Sequence, residues 1–234
     1  MKHQSMRGLQ RGALGLAGLL ACLPAGAAEY RIVSPESRLH IHVGKAGLFG
    51  FAGHAHEVYA GEIEGRIRLE AGAWSSGSVE LSLPASALRV DPETEPPKDL
   101  AEVQATMESR VLEIAAFPQI AFRSTAVSLE SHSPKGARIA LEGELSFHGV
   151  TRPIELPVEV TIEGQRLTAK GRIKARQKDY AIKPVSAAGG TVKVKDELEI
   201  DFEIVALEAH KTLGARRLQP RGTARPCAAS LPLQ

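Results

Sequence analysis

Between Tyr30 and Ala206 apolar and polar side chains alternate with a period of two, which puts one set on each face of an extended strand. Leu39, Ile41 and Val43 alternate with His40 and His42, and Ile63, Ile67 and Leu69 with Glu62, Glu64, Arg66 and Arg68. The same pattern returns in Val79-Leu81-Leu83, Ile120-Phe122, Ile139-Leu141, Leu145-Phe147, Ile154-Leu156, Val158-Val160-Ile162, Leu167-Ala169-Gly171-Ile173 and Leu198-Ile200-Phe202-Ile204, all as odd- or even-numbered runs flanked by polar residues. Turn residues separate the runs at Gly72, Gly77, Pro134-Lys135-Gly136, Glu163-Gly164-Gln165 and Gly189-Gly190. About eight such strands, each with one apolar and one wet face, favour a closed antiparallel barrel or a sandwich over a helix-covered parallel sheet.

One helix interrupts the pattern. Leu100, Val103, Met107 and Val111 recur at helical spacing from about Lys98 to Leu112, after Pro96-Pro97 and with Asp99 in the first turn. Its apolar face is expected to cover an end of the barrel. An outer-membrane barrel would need aromatic girdles and an apolar outer face, and a chain with 4% aromatic residues, a mid-sequence helix and a polar C-terminal segment does not fit one.

Composition divides the chain in three. Residues 1–28 combine Lys2, Arg7 and Arg11 with an uncharged Leu/Ala/Gly-rich run and the small residues Ala25-Gly26-Ala27-Ala28, which reads as a cleaved export signal too short to span a membrane. This places the mature protein in the periplasm. Leu19-Leu20-Ala21-Cys22 is a poorer fit to a lipoprotein anchor. Removing those three basic residues takes the formal charge from +2 to −1, and because residues 207–234 carry +4, residues 29–206 carry −5 and form an acidic domain. Residues 207–234 are basic, proline-containing and without periodicity; they read as a disordered tail able to make peripheral contact with anionic lipid. Cys22 and Cys227 both lie outside the domain, which must hold without a disulfide; Cys227 would be an unpaired thiol.

The candidate chemistry is sparse. His40-x-His42 and His54-x-His56 each place two imidazoles on one face of a strand, a zinc- or copper-ligand geometry if Glu57 or His148 converges. The glycine-rich stretch around His54 and His56 makes these, with His148, the candidates for a metal- or haem-associated enzyme or redox accessory. No acidic or cysteine cluster stands at a metal spacing beside them, so no metal is expected. No Gly-x-Ser-x-Gly elbow, Ser-x-x-Lys or phosphate-cradling loop is present, and neither charge nor aromatic content suits nucleic acid. The chain is expected to be a binding protein and not an enzyme. Of the alternating apolar set, Ile41, Phe49, Phe51, Leu81, Phe122, Leu145, Phe147 and Phe202 are the candidates to line an interior cavity, since a barrel of about eight strands can just enclose one small ligand.

Several stretches resemble, in order, the YceI-like proteins. They are Tyr30-Arg31-Ile32-Val33-Ser34-Pro35-Glu36-Ser37, Gly53-His54-Ala55-His56, the strand from Gly61 to Leu69, Phe117-Pro118-Gln119-Ile120-Ala121-Phe122-Arg123-Ser124 after the helix, Glu142-Gly143-Glu144-Leu145-Ser146-Phe147-His148-Gly149-Val150-Thr151-Arg152, and Asp179-Tyr180-Ala181-Ile182. The resemblance runs from Tyr30 to about Ala206. It implies a lipocalin-like extended barrel that takes a polyisoprenoid or other long amphiphile, a quinone among them, into its interior, with no catalytic residues and no cofactor beyond that ligand. Barrels of this kind can pair into homodimers through an exposed edge. Val90 to Lys98 departs from the family by lacking its Arg-Asp-x-His-Leu run, of which Lys98-Asp99-Leu100 remains, and that departure falls at the mouth of the implied cavity.

Overall fold

The structure, a computed structural model, describes residues 27–46, 55–70, 73–187 and 192–209. The expectations for the export signal, Cys22, Phe49, Phe51, His54, the turns at Gly72 and Gly189-Gly190, Cys227 and the tail beyond residue 209 lie outside them. Among the described residues the strands are β1 (Ala28–Ile32), β2 (Arg38–Ala46), β3 (His56–Ala60), β4 (Glu64–Glu70), β5 (Ala73–Pro84), β6 (Leu88–Val90), β7 (Gln119–Ser133), β8 (Gly136–Phe147), β9 (Val150–Glu163), β10 (Arg166–Arg176), β11 (Ser186–Ala187) and β12 (Val192–Glu208). All pairings are antiparallel, and the order β1-β4-β5-β7-β8-β9-β10-β12 closes on itself because β1 pairs with β12. The result is an eight-stranded barrel from which β2, β3 and β6 extend as a second tier along β12.

That second tier arises because three strands step sideways. β1 and β2 run along the same edge of β12, separated by a 3-10 turn at Ser34–Glu36, and β5 and β6 are separated by another at Ala85–Ala87. Gly77, expected to end a strand, lies inside β5; here Trp74–Gly77 stand opposite the single residue Leu69, and the strand bulges without stopping.

Alternation orders the interior. Two apolar clusters form the inner wall of the two tiers: one built on Tyr30, Ile67, Phe122, Ile139, Leu156, Val158 and Leu167, the other on Val58, Ala60, Leu83, Leu88 and Leu112. Inside the first, a Cβ at Gly143 would meet the Phe122 ring at 2.5 Å, and one at Gly171 the Phe202 ring at 2.4 Å. Glycine at these inward positions makes room for the two rings. On the outer face the sheet is bonded by cross-strand charges, with Arg172 to Asp201 at 2.6 Å, Lys174 to Glu197 at 3.0 Å and Lys170 to Glu203 at 3.1 Å.

The expected helix is α1 (Leu100–Thr106), continued by a π turn over Met107–Val111. It lies beside β6, which has no strand on its outer edge. Gln104 takes that place: its amide oxygen accepts from the Val90 N–H at 2.9 Å and its amide nitrogen donates to the Leu88 carbonyl at 3.1 Å.

Ser37 seals the step between β1 and β2. It is 1% exposed; its hydroxyl lies 3.0 Å from the Val33 carbonyl and 3.2 Å from the Val205 carbonyl and accepts from the Val205 N–H at 3.0 Å. Ser37→Ala leaves that buried N–H unpaired, and we expect it to lower the unfolding free energy by about 1–3 kcal/mol in urea denaturation. A change indistinguishable from zero would mean that the junction rests on packing alone.

Candidate functional site: an apolar tunnel with one polar end

A single elongated cavity of about 680 Å3 runs through both tiers. Its walls are the inward alternators, among them Ile41, Leu81, Phe122, Leu145, Phe147 and Phe202, so all six of the expected lining residues that are described face this space. The helix supplies one wall through Val103, Thr106, Met107 and Val111. At the lower end stands Trp74, the single tryptophan of the chain. Counting alternation back from Leu81 and Val79 would put Trp74 outside, and only the bulge at 74–77 turns it inward.

Polar groups gather at the upper end. His56, Glu95, Asp99 and Glu102 line the cavity there, with Gln177, whose amide donates to the Lys195 carbonyl at 2.7 Å. The Glu95 side chain has no solvent exposure and binds His56 through Nδ1. No lysine or arginine lines this end among the described residues; Arg68, the one cation on the cavity wall, belongs to the other end and turns its guanidinium toward Glu29. Glu95, Glu102, Gln177 and Trp74 were not singled out in the sequence, and Asp99 only as a first-turn helix residue; Glu95 sits in an irregular connection where no periodicity assigns a face, and Glu102 is one polar residue among several on the helix.

The histidines resolve into separate structural roles. His56, read from sequence as part of a glycine-rich loop, opens β3 and points inward opposite Val43. His40 and His42 do share the outer face, and both meet Glu57 of β3, at 2.8 and 2.5 Å; the His40 ring also stacks on Tyr59 at 4.6 Å. His148 occupies the two-residue turn between β8 and β9 with φ 50°, followed by Gly149 at φ 73°, as a twist-compatible hairpin requires. Buried there, it lies 3.1 Å from the Tyr180 carbonyl through Nδ1 and 3.0 Å from Glu113 through Nε2, packed on Phe117. His56 and His148 thus belong to different side-chain clusters, and no group of three or more His, Cys, Asp or Glu side chains suited to a metal occurs among the described residues. His54, the third candidate, lies outside the described residues.

A closed antiparallel barrel with a lidded apolar tunnel defines the lipocalin-like class. Comparison with known families is specific: the YceI-like domain matches residues 30–206, and the chain belongs to that family. Similar solved structures include BcnA of Burkholderia cenocepacia, with 15% identity and TM-score 0.59 over 74% of this chain and 98% of that one. A polyisoprenoid-binding domain from Saccharophagus degradans, implicated in plant cell wall breakdown, aligns at 12% identity and TM-score 0.55 over 80% and 100%. The Campylobacter jejuni YceI protein aligns at 13% and 0.50 over 65% and 84%. No curated protein sequence matches the chain.

All three tyrosines are held above the ordinary phenol pKa: Tyr30 by burial and then Glu208, Tyr180 by burial and then Asp179, and Tyr59 by desolvation and then Asp91. A raised folded pKa stabilises the fold fully below the unfolded value of about 10 and loses that contribution as pH rises through the folded value. The phenolate absorbance of the native protein is therefore expected to appear at higher pH than that of the urea-unfolded chain, with unfolding setting in as it does. Coincident titration curves would contradict this account of the three sites.

Proposed function

We propose that this protein is a non-enzymatic carrier or sequestering protein for a polyisoprenoid or similar long-chain amphiphile, held with its chain in the tunnel and its head at the His56–Glu95 end. The observation that supports this most is the size and chemistry of the cavity. A space of about 680 Å3 with almost wholly apolar walls is far larger than the few small voids of a close-packed interior. Such a space is intelligible when a ligand occupies it. Walls of Leu, Ile, Val and Phe offer water too few partners, whereas each methylene of a lipid chain gains about 0.8 kcal/mol on entry, before ordering costs.

Family membership and the polyisoprenoid-binding neighbour support the same ligand class. Counting each methylene as roughly the ~30 Å3 of a water molecule, the tunnel accommodates a chain of about twenty carbons. The N-terminal segment supports a periplasmic location, where such a protein would move or store lipid between membranes.

Trp74 makes the proposal measurable without a label, since a chain that fills the tunnel must reach the indole. Geranylgeraniol is expected to shift and enhance the tryptophan emission saturably, while geraniol, too short to span the tunnel, does so at least tenfold more weakly. Organic extraction of the purified protein followed by mass spectrometry should recover an amphiphile of matching length. Failure of both measurements would remove the proposal.

A further inference from the structure

The barrel is closed, yet one of its seams is not zipped. β9 and β10 pair only from Glu163 and Arg166 to Val158 and Gly171. Beyond that point Val150–Pro157 pairs with β8 alone and Arg172–Arg176 with β12 alone, so two strand edges face each other without a ladder. Two prolines lie on the β9 edge of this gap. The Pro157 carbonyl points at β10, where it lies 2.5 Å from the Cβ position of Gly171, and strand geometry turns Pro153 to the same side four residues earlier. Neither residue has an N–H to donate, so the seam is kept from zipping by covalent chemistry.

The gap also joins two spaces. An external cleft of about 550 Å3 lies along it, lined by Pro153, Pro157, Arg172 and Lys174, and the same two isoleucines, Ile154 of β9 and Ile173 of β10, line both this cleft and the interior tunnel. Two branched aliphatic side chains, one from each edge, are the shared wall. At the upper end the gap is bounded by the 3-10 turn Gln177–Tyr180, tied to β9 by the Arg152 guanidinium donating to the Asp179 carbonyl at 3.0 Å.

We propose that the β9–β10 seam is the side portal through which the lipid chain enters and leaves the tunnel, with Ile154 and Ile173 as its gate and Pro153 and Pro157 as the residues that hold it open. The proposal rests on the reading of the tunnel as a lipid-chain site. Passage through a side seam needs only the parting of two unpaired edges, whereas passage past the helix requires breaking the Gln104 bonds to β6.

Stopped-flow Trp74 fluorescence with geranylgeraniol tests it. In Pro153→Val/Pro157→Val the restored N–H groups should let the ladder extend, and both association and dissociation should slow at least fivefold. In Ile154→Ala/Ile173→Ala the association rate should rise at least fivefold, a change that mere loss of lining contacts, which acts on dissociation, does not produce. Met107→Ala/Val111→Ala, which trims the helix wall of the tunnel instead, should speed association less than the Ile154→Ala/Ile173→Ala seam variant does. Unchanged association in both seam variants, or an acceleration confined to the helix variant, would overturn the portal while leaving the tunnel reading in place. Absence of any Trp74 response in the unaltered protein, with no amphiphile recovered on extraction, would remove the tunnel reading and the portal with it.

Discussion

The architecture depends on β12 sharing one edge between two partners. This 17-residue strand pairs on one side with β10 over Glu197–Leu207, after β11 at Val192 and Lys193, while its other side is taken first by β2 and then by β1. A single continuous partner would give an ordinary short barrel. The handover from β2 to β1 instead lets the sheet climb past its own closure point and form a second tier, and the tunnel is long because the sheet has two tiers. At the handover the ladder must break, and a break in a buried ladder is costly unless each backbone group finds another partner. Val205, 1% exposed, is the residue concerned, and Ser37 and the Val33 N–H supply what β1 and β2 cannot.

The tunnel remains open because the fold's stability does not come from a filled centre. Backbone ladders, two apolar clusters and the rows of outer ion pairs hold the wall, and the exposed pairs contribute little singly. Aromatic rings are used sparingly inside and are seated against glycines, as Phe122 on Gly143 and Phe202 on Gly171, so that they thicken the wall without crossing the lumen. Larger residues at those glycines would push the rings into the space the ligand needs. A sheet can be hollow only if its wall residues pack sideways on one another, and these two pairs do so.

Much of this was legible in the sequence. Strict alternation identifies the strands, the inward set and the amphipathic helix, because a two-residue period and a 3.6-residue period are read directly from the chain. The features that escaped are those where the period is interrupted. Trp74 sits behind a bulge that reverses its face; Glu95 lies in a connection with no period at all; Gln104 looks like any polar helical residue until the bare edge of β6 is seen beside it. His148 shows the opposite difficulty, since a histidine in a turn invites a ligand role, and only the position of Glu113 and the Tyr180 carbonyl reveals a clamp.

The same clamp explains how a hollow barrel keeps its upper tier in place. Three non-glycine residues of the described chain adopt left-handed backbone, Glu113, His148 and Ala181, and they meet at one point: His148 binds Glu113 and the carbonyl of Tyr180, the neighbour of Ala181. Each such conformation carries strain that surrounding contacts must hold. One imidazole here joins the end of the helical segment, the β8–β9 hairpin and the turn that precedes the last strands. These are three segments with no ladder between them. Strain is concentrated where the sheet provides no hydrogen bonds, and the side-chain contacts of His148 substitute for the missing ladder, as those of Gln104 do at β6 and those of Ser37 at β12.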